Sequence, residues 1–141
     1  MIPGLTAAQG AAASLGIPLT HRSHARALVF ATGHLQSSGQ SVDLDWVMLA
    51  RPQQTVVIYM GLATLPIISR ELIAHGWPSS TPAALIERAT TPEQRCVTGT
   101  LSSLPAMASA YDLRSPTLIV IGEVVKLHAV LHQSTPEVMH V

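Results

Sequence analysis

The residues best placed to bind a ligand in this chain follow an apolar run. Thr55-Val56-Val57-Ile58 leads directly into Tyr59-Met60-Gly61-Leu62, a pattern that predicts a strand ending in a glycine turn and then a helix. Ligands of open α/β sheets bind outside the carboxyl ends of strands. Met60 is therefore a candidate ligand contact, although a methionine at a strand end is more often part of the core.

A short basic segment is a second candidate site. Thr20-His21-Arg22 and the nearby Arg26 bring positive charge to one predicted loop. Arginine pairs bidentately with carboxylates, so the loop would suit a ligand with several carboxylate groups. Without such a ligand, a loop of this kind is most often simply solvated.

The seven histidines raise the question of a metal site. His128 and His132 lie four residues apart on a predicted helix, a spacing that can chelate zinc, and His21 and His24 lie three apart. No third ligand accompanies either pair at a recognised spacing, so we expect no metal, and a small histidine-dependent metal protein is kept as the last alternative. Cys96 is the single cysteine, which excludes an intrachain disulfide and a cysteine-based zinc site.

Other catalytic signatures are missing from the sequence. It contains no G-x-G-x-x-G or Walker loop for phosphates and no G-x-S-x-G nucleophile elbow. The sequence therefore predicts no catalytic residue by motif.

Segments typical of strands and helices alternate along the 141 residues, a length that suits one domain. This alternation predicts an α/β fold with a mixed, mostly parallel sheet flanked by helices, in which the segments 83–87 and 95–101 pair antiparallel. We expect residues 1–132 to form the domain and the polar residues 133–141 to form a loose tail. The predicted strands are 27–32, 55–60, 83–87, 95–101 and 117–122.

The composition is apolar, with 48% hydrophobic and 11% charged residues, about half the usual ~25% charge. We interpret this deficit as surface covered by another domain or subunit; a small domain with an Ala/Ser/Thr-rich surface is the alternative. Eight basic and eight acidic residues cancel without forming a basic cluster, which argues against a nucleic-acid partner. The longest apolar run is too short for a membrane span and the first residues do not resemble a signal peptide, so we expect a cytoplasmic protein.

Short motifs spread over residues 2–131 resemble, in their order and spacing, the C-terminal half of uroporphyrinogen-III C-methyltransferases. These enzymes belong to the tetrapyrrole methylases and also form the methyltransferase module of sirohaem synthases. The matching motifs are PGLTAA at 3–8, GIPLTHR at 16–22, TGHL at 32–35, DLDW at 43–46, YMGL at 59–62, TTPEQR at 90–95, TGTL at 98–101 and SP at 115–116.

The resemblance implies a function in porphyrin, sirohaem and cobalamin biosynthesis. The family consists of homodimers of two α/β domains, which hold S-adenosylmethionine in the cleft between the domains and methylate uroporphyrinogen III to precorrin-2. Because the tetrapyrrole substrate implied by the resemblance carries several carboxylates, His21 and Arg22 of the basic loop are expected to contact it. The residues expected to contact the cofactor are Thr6, Ala7, Met60, Ala84 and Ala89. Ala89 stands where sirohaem synthases often have glycine, a change that a turn with positive φ would not tolerate.

The resemblance also implies a missing half. The family's N-terminal domain carries a Gly-Pro-Gly-Asp loop, a Gly-Gly-Asp-Pro loop and the proposed acid and base, none of which this sequence matches. We therefore expect an S-adenosylmethionine-binding half that is inactive alone, arising from a truncated form, a split gene or a start codon inside a longer frame. The alternative is a non-catalytic dimerisation or interaction domain that pairs with a separately encoded N-terminal half.

Overall fold

The computed structural model describes residues 1–37, 39 and 41–129. The predicted tail at 133–141 and the end of the predicted last helix lie outside these residues. The elements are α1 (Ala7–Leu15), β1 (Ala27–Thr32), α2 (Trp46–Leu49), β2 (Gln54–Tyr59), α3 (Leu65–Ala74), β3 (Pro82–Glu87), β4 (Arg95–Thr100), α4 (Leu104–Ala110), β5 (Thr117–Ile121) and a 3-10 turn at Glu123–Val125.

The five strands found in the described residues form one sheet in the order β1-β2-β5-β3-β4, which confirms the predicted mixed α/β fold. The expectation of mostly parallel pairing is wrong, because among these strands β1 and β2 are the one parallel pair, while the β2–β5, β5–β3 and β3–β4 pairings are antiparallel. The cause is the last strand: β5 inserts between β2 and β3 and runs against both. Strands β2 and β3 share a direction but are never neighbours. The predicted antiparallel partnership of β3 and β4 is confirmed.

The core lies on both faces of the central strands. Strands β3 and β5 are buried at every position, as expected for strands covered by helices on each side. Along β2, Val56 and Ile58 face a cluster formed with α3 and α4, while Val57 faces a cluster formed with α1. The small residues of α1 allow a close approach to the turn that follows β3: a Cβ added at Gly10 would lie 2.9 Å from Thr90 Cγ2.

Local sequence determines several element ends. Helix α1 stops at Gly16, which has φ 66°, and Asp45 caps α2 by accepting a hydrogen bond from the Met48 N–H at 2.9 Å. Helix α3 begins at Leu65. No helix within the described residues is long and apolar enough to cross a membrane.

Candidate functional site

A cleft of about 370 Å³ opens where β2 and β3 end and β5 begins. Because β5 runs antiparallel between its neighbours, its first residues lie between the last residues of β2 and β3. The first turn of α1 lies beside them. The wall is mostly apolar and is formed by Ala7, Tyr59, Met60, Leu62, Ile86, Arg88, Ala89, Thr91, Ser115, Pro116, Thr117 and Leu118.

Met60 projects from the end of β2 and lines this cleft. The residue is 65% exposed, so the common interpretation of a strand-end methionine as core does not hold. Its φ of 53° lies in the left-handed region, which non-glycine residues adopt at a cost of about 1–3 kcal/mol. An exposed thioether held at such a backbone position is available to a ligand.

Close packing of two glycines fixes the backbone beside Met60. A Cβ at Gly61 would lie 2.8 Å from Ile119 Cδ1, and a Cβ at Gly33 would lie 2.9 Å from Gly61 Cα. The buried Thr64 hydroxyl donates to the Gly33 carbonyl and, at 3.2 Å, to the Gly61 carbonyl. The glycines of the TGHL and YMGL motifs therefore serve packing, and they hold the ends of β1 and β2 together.

Tyr59 anchors the start of α1 to the end of β2. Its hydroxyl accepts the Ala8 N–H at 3.1 Å and is hydrogen-bonded to the Thr6 hydroxyl. The edge-on contact with Phe30, with ring centroids 6.0 Å apart, packs the other side of the ring. These contacts place Ala7 at the wall of the cleft.

The turn after β3 forms the opposite rim. Arg88 and Thr90 have positive φ values of 47° and 68°, whereas Ala89 between them does not. Alanine is thus compatible with the backbone conformation at position 89. The Gln94 side-chain oxygen accepts hydrogen bonds from the Thr90 N–H at 2.7 Å and the Ser14 hydroxyl at 2.9 Å, which ties this turn to α1.

A buried carboxylate lies just behind that rim. Glu87 accepts hydrogen bonds from Arg95 Nε at 2.7 Å, Arg95 Nη2 at 3.0 Å and the Arg114 N–H at 2.7 Å. These bonds, chiefly those from Arg95, lower the pKa of Glu87 from 4.5 to about 2. Arg95 also donates to the carbonyl oxygens of Tyr111 and Asp112, at 3.0 and 3.4 Å. Sequence reasoning missed this pair, although Arg95 closes the TTPEQR motif.

The structure brings together three of the five predicted cofactor residues: Ala7, Met60 and Ala89 all line the cleft. Thr6 is linked to it through Tyr59. Ala84 does not line it, because the residue is fully buried within β3 and packs in the cluster under α1.

His21 and Arg22 lie elsewhere. They belong to a turn closed by a bridge between His21 and Ala25. Arg26 follows this turn and donates its N–H to the carbonyl of Gln53, the residue immediately before β2, at 2.9 Å. This is the amino end of β1 and β2, whereas the cleft lies at their carboxyl end. The six-residue strand β1 separates the two ends by roughly 17 Å, at ~3.3 Å per residue. The turn and the cleft do not form one pocket in a single copy of the chain.

The described residues contain no cluster of three or more His, Cys, Asp or Glu side chains able to hold a metal ion. The rings of His21 and His24 lie 4.8 Å apart. Of the second predicted pair, His132 lies outside the described residues.

Comparison with known sequences gives consistent matches. Residues 1–105 match the model of the family described as Tetrapyrrole (Corrin/Porphyrin) Methylases. The chain is 56% identical over 140 residues to a siroheme synthase of Thioalkalivibrio sulfidiphilus, covering 99% of this chain and 28% of that protein. It is 51% identical over 127 residues to a siroheme synthase of Pseudomonas aeruginosa, covering 90% of this chain and 27% of that protein. The chain thus spans less than a third of these relatives.

Solved structures show the same fold. Uroporphyrin-III-C-methyltransferase from Thermus thermophilus superposes with a TM-score of 0.73 at 37% identity, covering 92% of this chain and 53% of that one. A structure of the Thermus enzyme complexed with S-adenyl homocysteine gives 0.72 at 33% identity, covering 90% and 53%. The match to the family model covers well over half of the chain, and with the identity to the siroheme synthases it shows that this chain belongs to the tetrapyrrole methylase family.

Proposed function

We propose that this chain supplies one wall of the S-adenosylmethionine cleft of a uroporphyrinogen-III C-methyltransferase, acting in sirohaem or cobalamin biosynthesis. The observation that carries the proposal is the meeting of Ala7, Met60 and Ala89 in one cleft at the carboxyl end of β2 and β3. The family resemblance implies that these positions contact the cofactor. A relative of 33% identity is known in complex with S-adenyl homocysteine.

The cleft fits a ligand of this kind. Its volume of about 370 Å³ lies within the ~300–1,000 Å³ range of small-molecule sites, which are mostly apolar with a few polar groups. When bound, S-adenosylmethionine would supply an electrophilic methyl group to ring carbons of uroporphyrinogen III. The chain's own contribution is binding and orientation: Met60 offers a polarizable thioether, Ala7 and Ala89 leave room, and the apolar wall excludes water.

We further propose that the chain needs a second wall. It spans 53% of the solved Thermus enzyme, and burying most of a small ligand requires protein on both sides. No acid or base among the described cleft residues is matched to catalysis by the family resemblance. The chain alone is therefore expected to bind the cofactor weakly and to be inactive, and to act with an N-terminal half within a cytoplasmic homodimer.

His21 and Arg22 are retained as proposed contacts for the carboxylates of the tetrapyrrole. Their turn lies at the far end of β1 from the cleft. As substrate contacts they would have to act on a part of the substrate remote from the methyl group, or in the cleft of a second copy. Replacing Arg22 with Gln tests this role: the KM for uroporphyrinogen III should rise while the affinity for S-adenosylhomocysteine stays unchanged.

The proposed activity is tested by joining this chain to the N-terminal half of its enzyme and following methyl transfer from S-adenosylmethionine to uroporphyrinogen III. We expect two methylations by the joined protein and none by either half. A joined, folded protein that binds neither ligand would refute the proposal.

A non-catalytic dimerisation or interaction domain is the second candidate. Strand β1 favours it, because within the described residues this uncharged strand lies at an edge of the sheet, and Phe30 on it is 49% exposed. An edge of this kind is a template for pairing with another chain. If this candidate is correct, Met60→Ala will leave S-adenosylhomocysteine binding and methyl transfer by the assembled protein unchanged.

A further inference from the structure

The ion pair of Glu87 and Arg95 joins three chain segments around the cleft. Glu87 ends β3, Arg95 begins β4, and Arg114 lies in the segment that leads from α4 into β5. One oxygen of the carboxylate accepts both Arg95 Nη2 and the Arg114 N–H, while the other accepts Arg95 Nε. The Glu87 side chain is 6% exposed and that of Arg95 47% exposed. A bidentate, charge-assisted pair of this kind holds its partners at a defined separation.

Both segments that Glu87 connects continue directly into the wall of the cleft. Arg88 and Ala89 follow it on one side, and Ser115 and Pro116 follow Arg114 on the other. The Arg88 N–H also donates to the Pro116 carbonyl at 3.0 Å. The residue pair itself does not line the cleft, so its effect on a ligand must act through these neighbours.

The turn after β3, which forms one rim of the cleft, requires surrounding contacts to hold its backbone. Arg88 and Thr90 both have positive φ, a conformation that persists only where surrounding structure holds it in place. Arg95 adds hydrogen bonds to the carbonyl oxygens of Tyr111 and Asp112, which fix the start of the opposite segment. Without the carboxylate, the backbone of Arg114 and the guanidinium of Arg95 would both lose their shared acceptor.

We propose that Glu87 and Arg95 are positioning residues that hold the adjoining wall segments 88–89 and 115–116 in place and thereby set the affinity of the cleft for the cofactor. This inference rests on the proposed function of the cleft. It assigns to the pair a role in binding that is separable from its contribution to stability.

The test uses Glu87→Gln and Arg95→Lys in the protein that joins this chain to its N-terminal half. Glu123→Gln is the matched control, since Glu123 forms an ion pair with Lys126 at 2.7 Å at the other end of β5. Calorimetry measures S-adenosylhomocysteine affinity, and amide hydrogen exchange with mass spectrometry reports on the segments 88–91 and 112–117. We expect at least tenfold weaker binding for Glu87→Gln, with faster exchange confined to those segments. Arg95→Lys should give a smaller loss, and the control none.

Two results separate the possible failures. The first result is that the wild-type protein and the folded variants Glu87→Gln and Arg95→Lys all bind S-adenosylhomocysteine equally well. It would overturn this inference and leave the proposed function intact. Wild-type protein that shows no binding would overturn both. If Glu87→Gln does not fold, the affinity of Arg95→Lys for S-adenosylhomocysteine tests the inference, because lysine keeps the positive charge but cannot form the bidentate pair.

Discussion

Met60 and Glu87 differ in where their side chains lie relative to the cleft. Met60 lies in the cleft and is 65% exposed, so its side chain contributes little to the core. Glu87 is buried behind the cleft, and its hydrogen bonds are made within the protein. Changing Met60 should therefore affect ligand binding, and changing Glu87 should affect both stability and binding.

Met60→Ala in the joined protein should weaken S-adenosylhomocysteine binding by about tenfold or more, because covering a methionine side chain on binding stabilises the complex by roughly 1.5–3 kcal/mol. The free energy of unfolding should change by no more than about 0.5 kcal/mol, as for other surface positions. Calorimetry and a denaturant melt measure the two quantities. Met60→Gly is the control: it relieves the positive φ and should lose the same affinity without loss of stability. A cost of about 2–5 kcal/mol for Met60→Ala would instead identify a core residue.

Glu87 predicts an acid-dependent loss of stability. Its pKa in the folded chain is about 2, below the ordinary 4.5, so folding favours the ionised form. This stabilisation is fully present above pH 4.5 and is lost as the pH falls toward 2. The difference in unfolding free energy between wild type and Glu87→Gln should therefore shrink across that interval. A difference that stays constant from pH 6 to pH 2 would show that the carboxylate charge does not stabilise the fold.

The elements around the cleft depend on close backbone packing more than on turn conformation. A Cβ at Gly61 would meet Ile119, Ile58 and Ile68 at 2.8 to 3.0 Å, and the glycine does not have positive φ. We expect Gly61→Ala to destabilise the chain by about 1–3 kcal/mol through overpacking, measured by denaturant unfolding. Gly4→Ala is the control, because no atom lies within 4 Å of its added Cβ. Equal stability of the two variants would contradict this role for the YMGL glycine.

The positions of the strands could be predicted from the sequence, but their order could not. Apolar runs and turn residues predicted both ends of β1 as observed, and each end of the other strands to within one residue. The insertion of β5 between β2 and β3 depends on contacts between distant segments, for which a local pattern carries no signal. This long-range contact is why the expected parallel majority was wrong.

The candidate site was predicted only in part, because some of its contacts also join distant segments. Ala7 and Met60 lie in the PGLTAA and YMGL motifs, and Ala89 directly precedes TTPEQR, so each prediction depended on one short segment. The bond between Thr6 and Tyr59 joins residues 53 positions apart, and the contact of Glu87 with the Arg114 N–H spans 27 positions. Such pairs become visible only once the chain is folded. The roles of the predicted site residues stay predictions.

The surface of the whole chain favours association. The formal net charge is zero and the pI is near 7.1, so little repulsion opposes a second copy near neutral pH. Within the described residues, β1 lies at an edge of the sheet and carries the half-exposed Phe30, and burying apolar surface there would contribute roughly 25 cal/mol per Å².

We therefore predict that the chain self-associates. Light scattering over a concentration series should reach a plateau at the mass of a dimer if one self-complementary patch is used, and should keep rising if an exposed inter-domain face aggregates. Phe30→Lys should weaken a dimer formed through β1. A clean monomer at high micromolar concentration would contradict the prediction.

One wall of a cofactor cleft is the role proposed for this chain. Calorimetric titration with S-adenosylmethionine measures it, performed on the chain alone and on the chain joined to its N-terminal half. We predict weak or undetectable binding to the chain alone and clear binding to the joined protein, since only the latter has both walls. Micromolar binding by the chain alone, or no binding by the joined and folded protein, would contradict the claim.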